Sequence, residues 1–180
     1  MGHGVNFSLF SRNATGVDLL LFDHPEAEYP QHILHLDPQV NRTFYYWHIF
    51  VPGIAAGQLY AYRVSGPYVP ERGLRFDPTK VLLDPYARAV TTHPYRRKAA
   101  AQPGDNCAEA PRSVVVDLRG YDWEGDEPLQ RPFAGSVLYE LHIGAFTRHP
   151  SANLPAELCG TYTGLIEKIP HLQRMGITAV

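Results

Sequence analysis

The sequence is poor in the residues that would crosslink it or carry it into a membrane. Its 2 cysteines, Cys107 and Cys159, lie far apart and match no metal-ligand spacing, so neither a disulfide framework nor a metal site is indicated. No apolar run approaches the length of a membrane span, and the N-terminus MGHGVNF lacks the charged-then-apolar order of a signal peptide. We therefore expect a cytoplasmic protein in a reducing compartment, with no metal and no cofactor.

Basic charge is also scarce. The net charge is -2, the pI is near 6.5, and Arg96 to Lys98 is the only run of three basic residues, so the basic face that nucleic acid requires is missing. Aromatic residues, in contrast, make up 12% of the chain. Neutral ligands such as sugars can pack against aromatic faces without any charge. The composition therefore permits a sugar as ligand and argues against nucleic acid and membranes as partners.

Short apolar segments alternate with turns through the first third of the chain, and 16 prolines and 15 glycines supply many turn positions. In the segment GVNFSLFS, Val5, Phe7 and Leu9 share one face, whereas VDLLLF is apolar throughout and predicts a strand covered on both faces. The short loop between these two segments predicts a hairpin. Spacing of about ten residues favours a β-sandwich, with strands predicted over residues 4–11, 17–22, 31–36, 44–51, 59–64 and 113–118.

A long connection follows these strands, from Gly66 to Arg88, with the sequence GPYVPERGLRFDPTKVLLDPYAR. Its early prolines and glycines leave no room for an ordinary helix or strand before Pro78. Its aromatic and apolar residues are too numerous for a disordered segment, so we expect it to pack against another part of the protein. Taken alone, Asp77 and Asp84 are expected to serve turns, since Asp before Pro favours turn initiation.

This connection, together with GVNFSLFS, WHIFVPG and LYAYRVSGPY, resembles the N-terminal region of isoamylase-type glycogen and starch debranching enzymes of the α-amylase superfamily. The resemblance implies that residues 1–95 form an immunoglobulin-like sandwich related to carbohydrate-binding modules. Residues 96–135 then form a loop, a strand and a linker, of which Arg96 to Arg112 is expected to be a mobile surface loop.

The last segment, residues 136–180, changes character. Ser136 to Phe146 reads as a strand, Gly160 to Gly176 has helical spacing with Pro170 either interrupting the helix or starting its second half, and Ile177 opens another strand. YELHIGAFTRH and GTYTGLIEKIPHLQRMGITAV are similar to the first strand, first helix and second strand of the debranching-enzyme (β/α)8 barrel. The fold class is therefore mainly β, with an immunoglobulin-like sandwich followed by the start of a TIM barrel.

The resemblance implies an α-glucan as partner and hydrolysis of α-1,6 branch linkages as the family's reaction. In that superfamily the catalytic Asp, Glu and Asp come from the fourth, fifth and seventh barrel strands, so we expect an N-terminal fragment with no catalytic residue of its own. The barrel rim, where active sites of this fold lie, would include Phe146, Thr147 and Arg148. Glu140 and His142, two apart on a predicted strand, are the remaining acid-base candidates, and a hydrogen-bonded core role suits them better.

Two further functions remain open. Trp47 and Tyr45 share a predicted face and form either a sugar-stacking platform or part of the sandwich core. A purely structural module without activity is the other alternative. Because one strand-helix-strand unit cannot close a barrel, residues 136–180 are expected to pack on the sandwich, to self-associate with a second copy, or to be poorly ordered.

Overall fold

The computed structural model describes residues 3–92 and 95–180, and the chain forms two compact units, residues 1–121 and 122–180. The division lies within the predicted intermediate segment 96–135. Within residues 3–92 and 95–121, the first unit contains ten short strands and one α-helix. They are β1 (Gly4–Phe10), β2 (Gly16–Phe22), β3 (His32–Leu36), β4 (Arg42–Thr43), β5 (Tyr46–Pro52), β6 (Leu59–Ser65), β7 (Tyr68–Val69), β8 (Leu74–Arg75), β9 (Ala89–Val90), β10 (Ser113–Val114) and α1 (Arg97–Ala101).

Two antiparallel sheets form a sandwich. One sheet has the strand order β1-β5-β4 and the other has the order β3-β2-β6-β10-β9. The core between them takes alternate residues from both sheets, as a period of two requires. Its buried members are Phe7, Leu9, Ala14, Val17, Leu19, Leu21, Leu36, Trp47, Tyr60, Tyr62 and Val64. The predicted strands over residues 4–64 and the inward side of β1 are confirmed.

The predicted hairpin between the first two strands is wrong. β1 pairs with β5 in the smaller sheet, whereas β2 pairs with β3 and β6 in the larger one. The intervening loop crosses between the sheets, and backbone hydrogen bonds attach each of its ends to a different sheet. The N–H of Ser11 donates to the carbonyl of Tyr45 at 2.8 Å, and the N–H of Thr15 donates to the carbonyl of Ser65 at 2.8 Å. A strand that is apolar on both faces belongs inside a covered sheet, and β2 is an interior strand between β3 and β6.

The long connection packs against the larger sheet, as predicted. Its regular structure before Pro78 amounts to the two-residue strands β7 and β8 and a single 3-10 turn, Pro70–Arg72. The ring of Phe76 lies directly over Gly66, where a Cβ atom would come within 2.5 Å of it. Leu82 then exchanges backbone hydrogen bonds with Tyr62 of β6. The connection therefore behaves as part of the sandwich.

Residues 96–112 form the predicted surface loop only in their first part, because residues 96–105 are exposed or half-buried whereas the segment from Asn106 to Arg112 contributes buried side chains. They contain α1 and a 3-10 turn, Cys107–Glu109, and they cover the outer face of the larger sheet. Arg112 is fully buried there. A second core cluster forms under this cover from Leu20, Phe22, Ala27, Ala61, Val81, Cys107 and Ala110. On β2, Leu20 and Phe22 of the outer face are therefore as buried as Leu19 and Leu21 of the inner face.

The second unit is mostly short helices and loops, with α2 (Ile143–Phe146), α3 (Tyr162–Ile166) and α4 (Ile169–Arg174). The predicted strand over residues 136–146 is reduced to a single parallel bridge between Leu138 and Ala179, and its last part becomes α2. Pro170 occupies the first turn of α4, so it starts a second helical segment. Gly176 follows α4 with φ of 77°, the left-handed conformation that ends helices. The strand-helix-strand order and its parallel pairing are present in minimal form.

Candidate carbohydrate-binding surface

Trp47 lies in the core of the sandwich and has no face open to a ligand. Its side chain is 0% exposed, its indole N–H donates to the carbonyl of Ser11 at 3.3 Å, and the guanidinium of Arg42 lies 5.0 Å from its ring. A sugar can stack only on a ring face that solvent reaches. The structure therefore places Trp47 in the second of its two predicted roles, as a core residue.

Tyr45 does not share the environment of Trp47. It lies in the two-residue turn that joins β4 to β5, and Phe44 before it adopts φ of 55°, a left-handed conformation unusual for a bulky residue. This turn breaks the strict alternation on which the shared face was predicted. Tyr45 is 42% exposed, and the guanidinium of Arg12 lies 5.5 Å from its ring centre. Of the two predicted residues, Tyr45 alone is accessible.

Tyr45 belongs to an exposed group of three aromatic rings, which we call the aromatic cluster (Phe10, Tyr45 and Tyr46). Phe10 contacts Tyr46 with ring centres 5.3 Å apart and planes inclined by 69°, and it contacts Tyr45 at 6.1 Å and 79°. Both contacts are edge to face. Phe10 and Tyr46 are opposite residues on β1 and β5, and each is about half exposed on the outer face of the smaller sheet. This face of β5 is therefore open to solvent at Tyr46, whereas the opposite face is buried at Trp47.

Tyr86, from the long connection, faces the aromatic cluster across a cleft of about 490 Å³. Ser8, Phe10, Tyr46 and Tyr86 line this space, which we call the Tyr86 cleft. The cleft shares Ser8 and Tyr86 with a neighbouring cavity of about 280 Å³, the polar groove. Asn6, Asp84 and Arg88 also line the polar groove, together with residues 114–116. An aromatic opening thus passes into a polar one along β1.

Asp84 fixes the position of Tyr86. One carboxylate oxygen accepts the backbone N–H of Tyr86 at 2.8 Å, and the other accepts the hydroxyl of Tyr60 at 2.8 Å. Burial, with the Asp84 carboxylate beside it, raises the pKa of Tyr60 well above its ordinary value, so the hydroxyl remains a donor. Asp77 also serves a turn, since it accepts the N–H and hydroxyl of Thr79. The predicted turn roles of both aspartates are confirmed.

Sequence reasoning missed Phe10, Tyr46 and Tyr86. A usable signal exists for Phe10, because the alternation that buries Phe7 and Leu9 places Phe10 on the outward side with Asn6 and Ser8. An aromatic residue on the polar side of an amphipathic strand is an indication of a binding surface. No comparable pattern exists for Tyr86, whose exposure depends on how an irregular connection folds.

The three predicted rim residues have three different environments in the second unit. Thr147 is fully buried, Phe146 is partly buried with its ring 6.2 Å from that of Tyr139, and Arg148 is exposed. The hydroxyl of Thr147 accepts the backbone N–H of Gly160 at 2.7 Å. Thr147 therefore holds the loop that leads into α3, and the location of these residues at a barrel rim stays a prediction.

Replacing Thr147 with valine is expected to lower the free energy of unfolding of the second unit by about 1–3 kcal/mol, because the shape is kept while the Gly160 amide loses its acceptor. Faster hydrogen exchange of the Gly160 amide would check this. The matched control is Thr163→Val, the same substitution at an exposed threonine of α3, where little change is expected. Unchanged exchange at Gly160 in the valine variant would contradict the structural role.

The acidic and metal-ligating residues form no second site in the described part of the chain. Residues 3–92 and 95–180 contain no group of three His, Cys, Asp or Glu side chains that could hold a metal ion, and Cys107 and Cys159 are both free. Asp122 accepts the N–H of Glu124 in an exposed turn, and Glu140 and His142 are both exposed. Across these same ranges, no helix has the length and apolarity that crossing a membrane would require.

Residues 1–87 match carbohydrate-binding module 48, the isoamylase N-terminal domain. The chain is 43% identical over 188 residues to a glycogen debranching enzyme of Yersinia enterocolitica and 37% identical over 180 residues to the chloroplastic isoamylase 1 of Arabidopsis thaliana. These alignments cover 99% and 98% of this chain, but only 27% and 22% of the relatives, so the chain spans about a quarter of their length. A solved product complex of the glycogen-degrading pneumococcal virulence factor SpuA shares the fold, with a TM-score of 0.67 at 19% identity over 98% of this chain and 18% of that one.

Proposed function

We propose that this chain forms the N-terminal part of an enzyme that hydrolyses α-1,6 branch linkages of glycogen or a related glucan. Two findings support the proposal. Residues 1–87 match the carbohydrate-binding module 48 family, and almost the whole chain aligns with glycogen debranching enzymes and isoamylases. In this proposal, residues 1–121 bind the glucan. The catalytic carboxyl groups are contributed from outside these 180 residues.

The observation that carries the glucan-binding role is the exposed aromatic cluster on the module's smaller sheet. Exposed large aromatic residues that converge on one surface mark interaction sites, and apolar ring faces suit the C–H faces of sugars. In the adjoining polar groove the two charged residues, Asp84 and Arg88, carry opposite charges. A neutral polyhydroxylated chain therefore suits this surface better than an acidic or basic partner.

The absence of catalysis in this chain is supported by the state of its carboxylates. Hydrolysis with retention needs two carboxyl groups about 5 to 5.5 Å apart on either side of the bond. Several carboxylates have other partners: Asp77 and Asp84 accept hydrogen bonds in turns, Asp105 pairs with Arg63, and Asp117 pairs with Arg119. Arg119 and its hydrogen bonds lower the pKa of Asp117 to about 2, so it is unsuited as a proton donor at neutral pH.

We expect the 180-residue chain to be retarded in a native gel that contains glycogen and to release no reducing ends from glycogen. Retardation is expected because the aromatic cluster is accessible in the isolated chain, and no release because the catalytic groups are missing. A gel without glycogen and a non-binding marker protein provide the reference mobilities. Loss of retardation would leave the module a structural support, and any real release of reducing ends would contradict the assignment of catalysis to residues outside the chain.

A further inference from the structure

We infer that the Tyr86 cleft and the polar groove together form the binding site for a chain of α-linked glucose units, an inference that rests on the proposed glucan-binding function. The lining residues come from β1, β5 and the long connection, so no single stretch of sequence locates the site. The sequence pattern pointed instead to Trp47, which is buried. The cleft follows from where the folded chain brings exposed aromatic residues together.

The walls of the cleft are three aromatic side chains that remain open to solvent. Phe10 is 51% exposed, Tyr46 is 53% exposed and Tyr86 is 83% exposed. Single exposed apolar residues are ordinary on protein surfaces, but several that line one concave space are the usual composition of a ligand site. Sugar rings supply the complementary partner, since their C–H faces are apolar and their rims carry hydroxyls.

The inclination of the rings indicates the shape of the ligand. Phe10 and Tyr46 meet at 69°, so together they form a corner and not a flat platform. A β-1,4-linked glucan is a flat ribbon, whereas an α-1,4-linked glucan curves. An angled wall follows a curved chain and leaves part of a flat ribbon without contact. The cleft geometry therefore selects for the α-linkage.

The cleft is held from both sheets of the sandwich, which keeps its walls in place. Phe10 and Tyr46 come from β1 and β5 in the smaller sheet. Tyr86 is fixed through Asp84, whose backbone N–H donates to the hydroxyl of Ser113 at 3.0 Å and whose carboxylate binds Tyr60, both residues of the larger sheet. A site held by rigid elements requires less ordering when the ligand binds. Asp84 is in this sense a positioning residue for Tyr86.

The polar groove extends the site along β1 and provides groups for sugar hydroxyls. Asn6, Ser8 and Phe10 are alternate residues of β1 and project to one side, so they span about 14 Å of the strand. This length suits an oligosaccharide better than a single sugar. Arg88 is exposed and forms no ion pair within residues 3–92 and 95–180, so its guanidinium donors are available to hydroxyls.

The test is calorimetric titration of the full 180-residue chain with maltoheptaose, and with cellohexaose as the flat counterpart. We expect Tyr86→Ala and Tyr46→Ala each to weaken maltoheptaose binding about tenfold or more, because each removes one aromatic wall. Tyr86→Phe keeps the ring and should retain most of the binding. Tyr29→Ala is the matched control, since Tyr29 is 76% exposed in the same unit and does not line the cleft. Cellohexaose should bind weakly or not at all.

The outcomes separate this inference from the proposed function. If the wild-type chain binds maltoheptaose but Tyr86→Ala and Tyr46→Ala bind within about twofold of it, the glucan site lies elsewhere and the inference alone is overturned. Loss of binding in Tyr29→Ala, with the cleft variants unchanged, leads to the same conclusion. A wild-type chain that does not bind maltoheptaose overturns both. The thermal unfolding temperature of each variant is measured as a control. Because Tyr86 is highly exposed, we expect Tyr86→Ala to unfold at the wild-type temperature, so that any loss of binding is local to the cleft.

Discussion

Replacing Trp47 with alanine is expected to unfold the sandwich or reduce its free energy of unfolding by about 3–5 kcal/mol. Trp47 has the largest of the fully buried side chains, and it contributes to the core that joins both sheets. Alanine would leave a cavity that β1 and β5 cannot close, and the carbonyl of Ser11 would lose its indole donor. Since a whole domain is stable by only about 5–15 kcal/mol, this loss is a large part of the total. Urea unfolding followed by circular dichroism measures it.

The matched control is Tyr45→Ala, two residues away. Tyr45 is 42% exposed in a turn, so its removal should change the free energy of unfolding by about 0.5 kcal/mol or less. The pair separates the two roles that the sequence left open for the aromatic segment. A Trp47→Ala variant that stays folded but no longer binds glycogen would contradict the core role and restore Trp47 as a binding residue.

The strands of the first unit could be predicted because their burial follows the period of two. The alternation in β1 requires one buried face and the continuous apolar run in β2 requires two, and the fold buries them accordingly. Which strand pairs with which is a different question, since it depends on contacts between distant residues. The loop after β1 is short enough for a hairpin, yet the chain uses it to change sheets. Only the apolar run of β2 on both faces indicates that it is an interior strand of the larger sheet.

The binding surface was only partly predictable for a related reason. The sequence points to the aromatic segment around Tyr45, but which of its side chains are exposed depends on the fold. The turn at Phe44, with its left-handed backbone, shifts Tyr45 out of the strand pattern. Tyr86 lies about forty residues further along the chain, and no local periodicity links it to Phe10. Sites built from two sheets and a connection are therefore visible only after folding.

The segment before β10 shows most clearly where polarity misleads. Residues 96–112 are rich in polar and small residues, yet Arg112 is fully buried among backbone carbonyls. Its guanidinium donates to the carbonyls of Ala27 at 3.0 Å, of Cys107 at 2.6 Å and of Ala110, and it lies 4.0 Å from the ring centre of Phe22. Burial lowers the pKa of Arg112 from its ordinary value, and the carbonyl dipoles and the ring offset the loss of hydration. One side chain thus satisfies three buried acceptors at once.

Replacing Arg112 with alanine is therefore expected to reduce the free energy of unfolding by about 3–5 kcal/mol, because three buried carbonyls lose their donor and a large cavity opens over Phe22. Arg112→Met restores part of the volume but none of the donors, so it should recover only part of the loss. Urea unfolding of both variants, monitored by tryptophan fluorescence, separates the contribution of the lost volume from that of the lost hydrogen bonds.

Arg119→Ala is the control that shows whether the loss of stability in the Arg112 variants comes from removing a charge or from removing a buried side chain. Arg119 also has a close partner, with its guanidinium 2.7 Å from Asp117, but it is exposed and water can replace the ion pair. We expect it to leave the unfolding midpoint nearly unchanged. If Arg112→Met were as stable as the wild-type chain, the hydrogen bonds to the three carbonyls would not matter and Arg112 would act only as filler. If Arg112→Ala loses the expected stability, the fold depends on the 96–112 segment that its polarity would place on the surface. The reason is that the buried guanidinium of Arg112 binds this segment to the turn after β2.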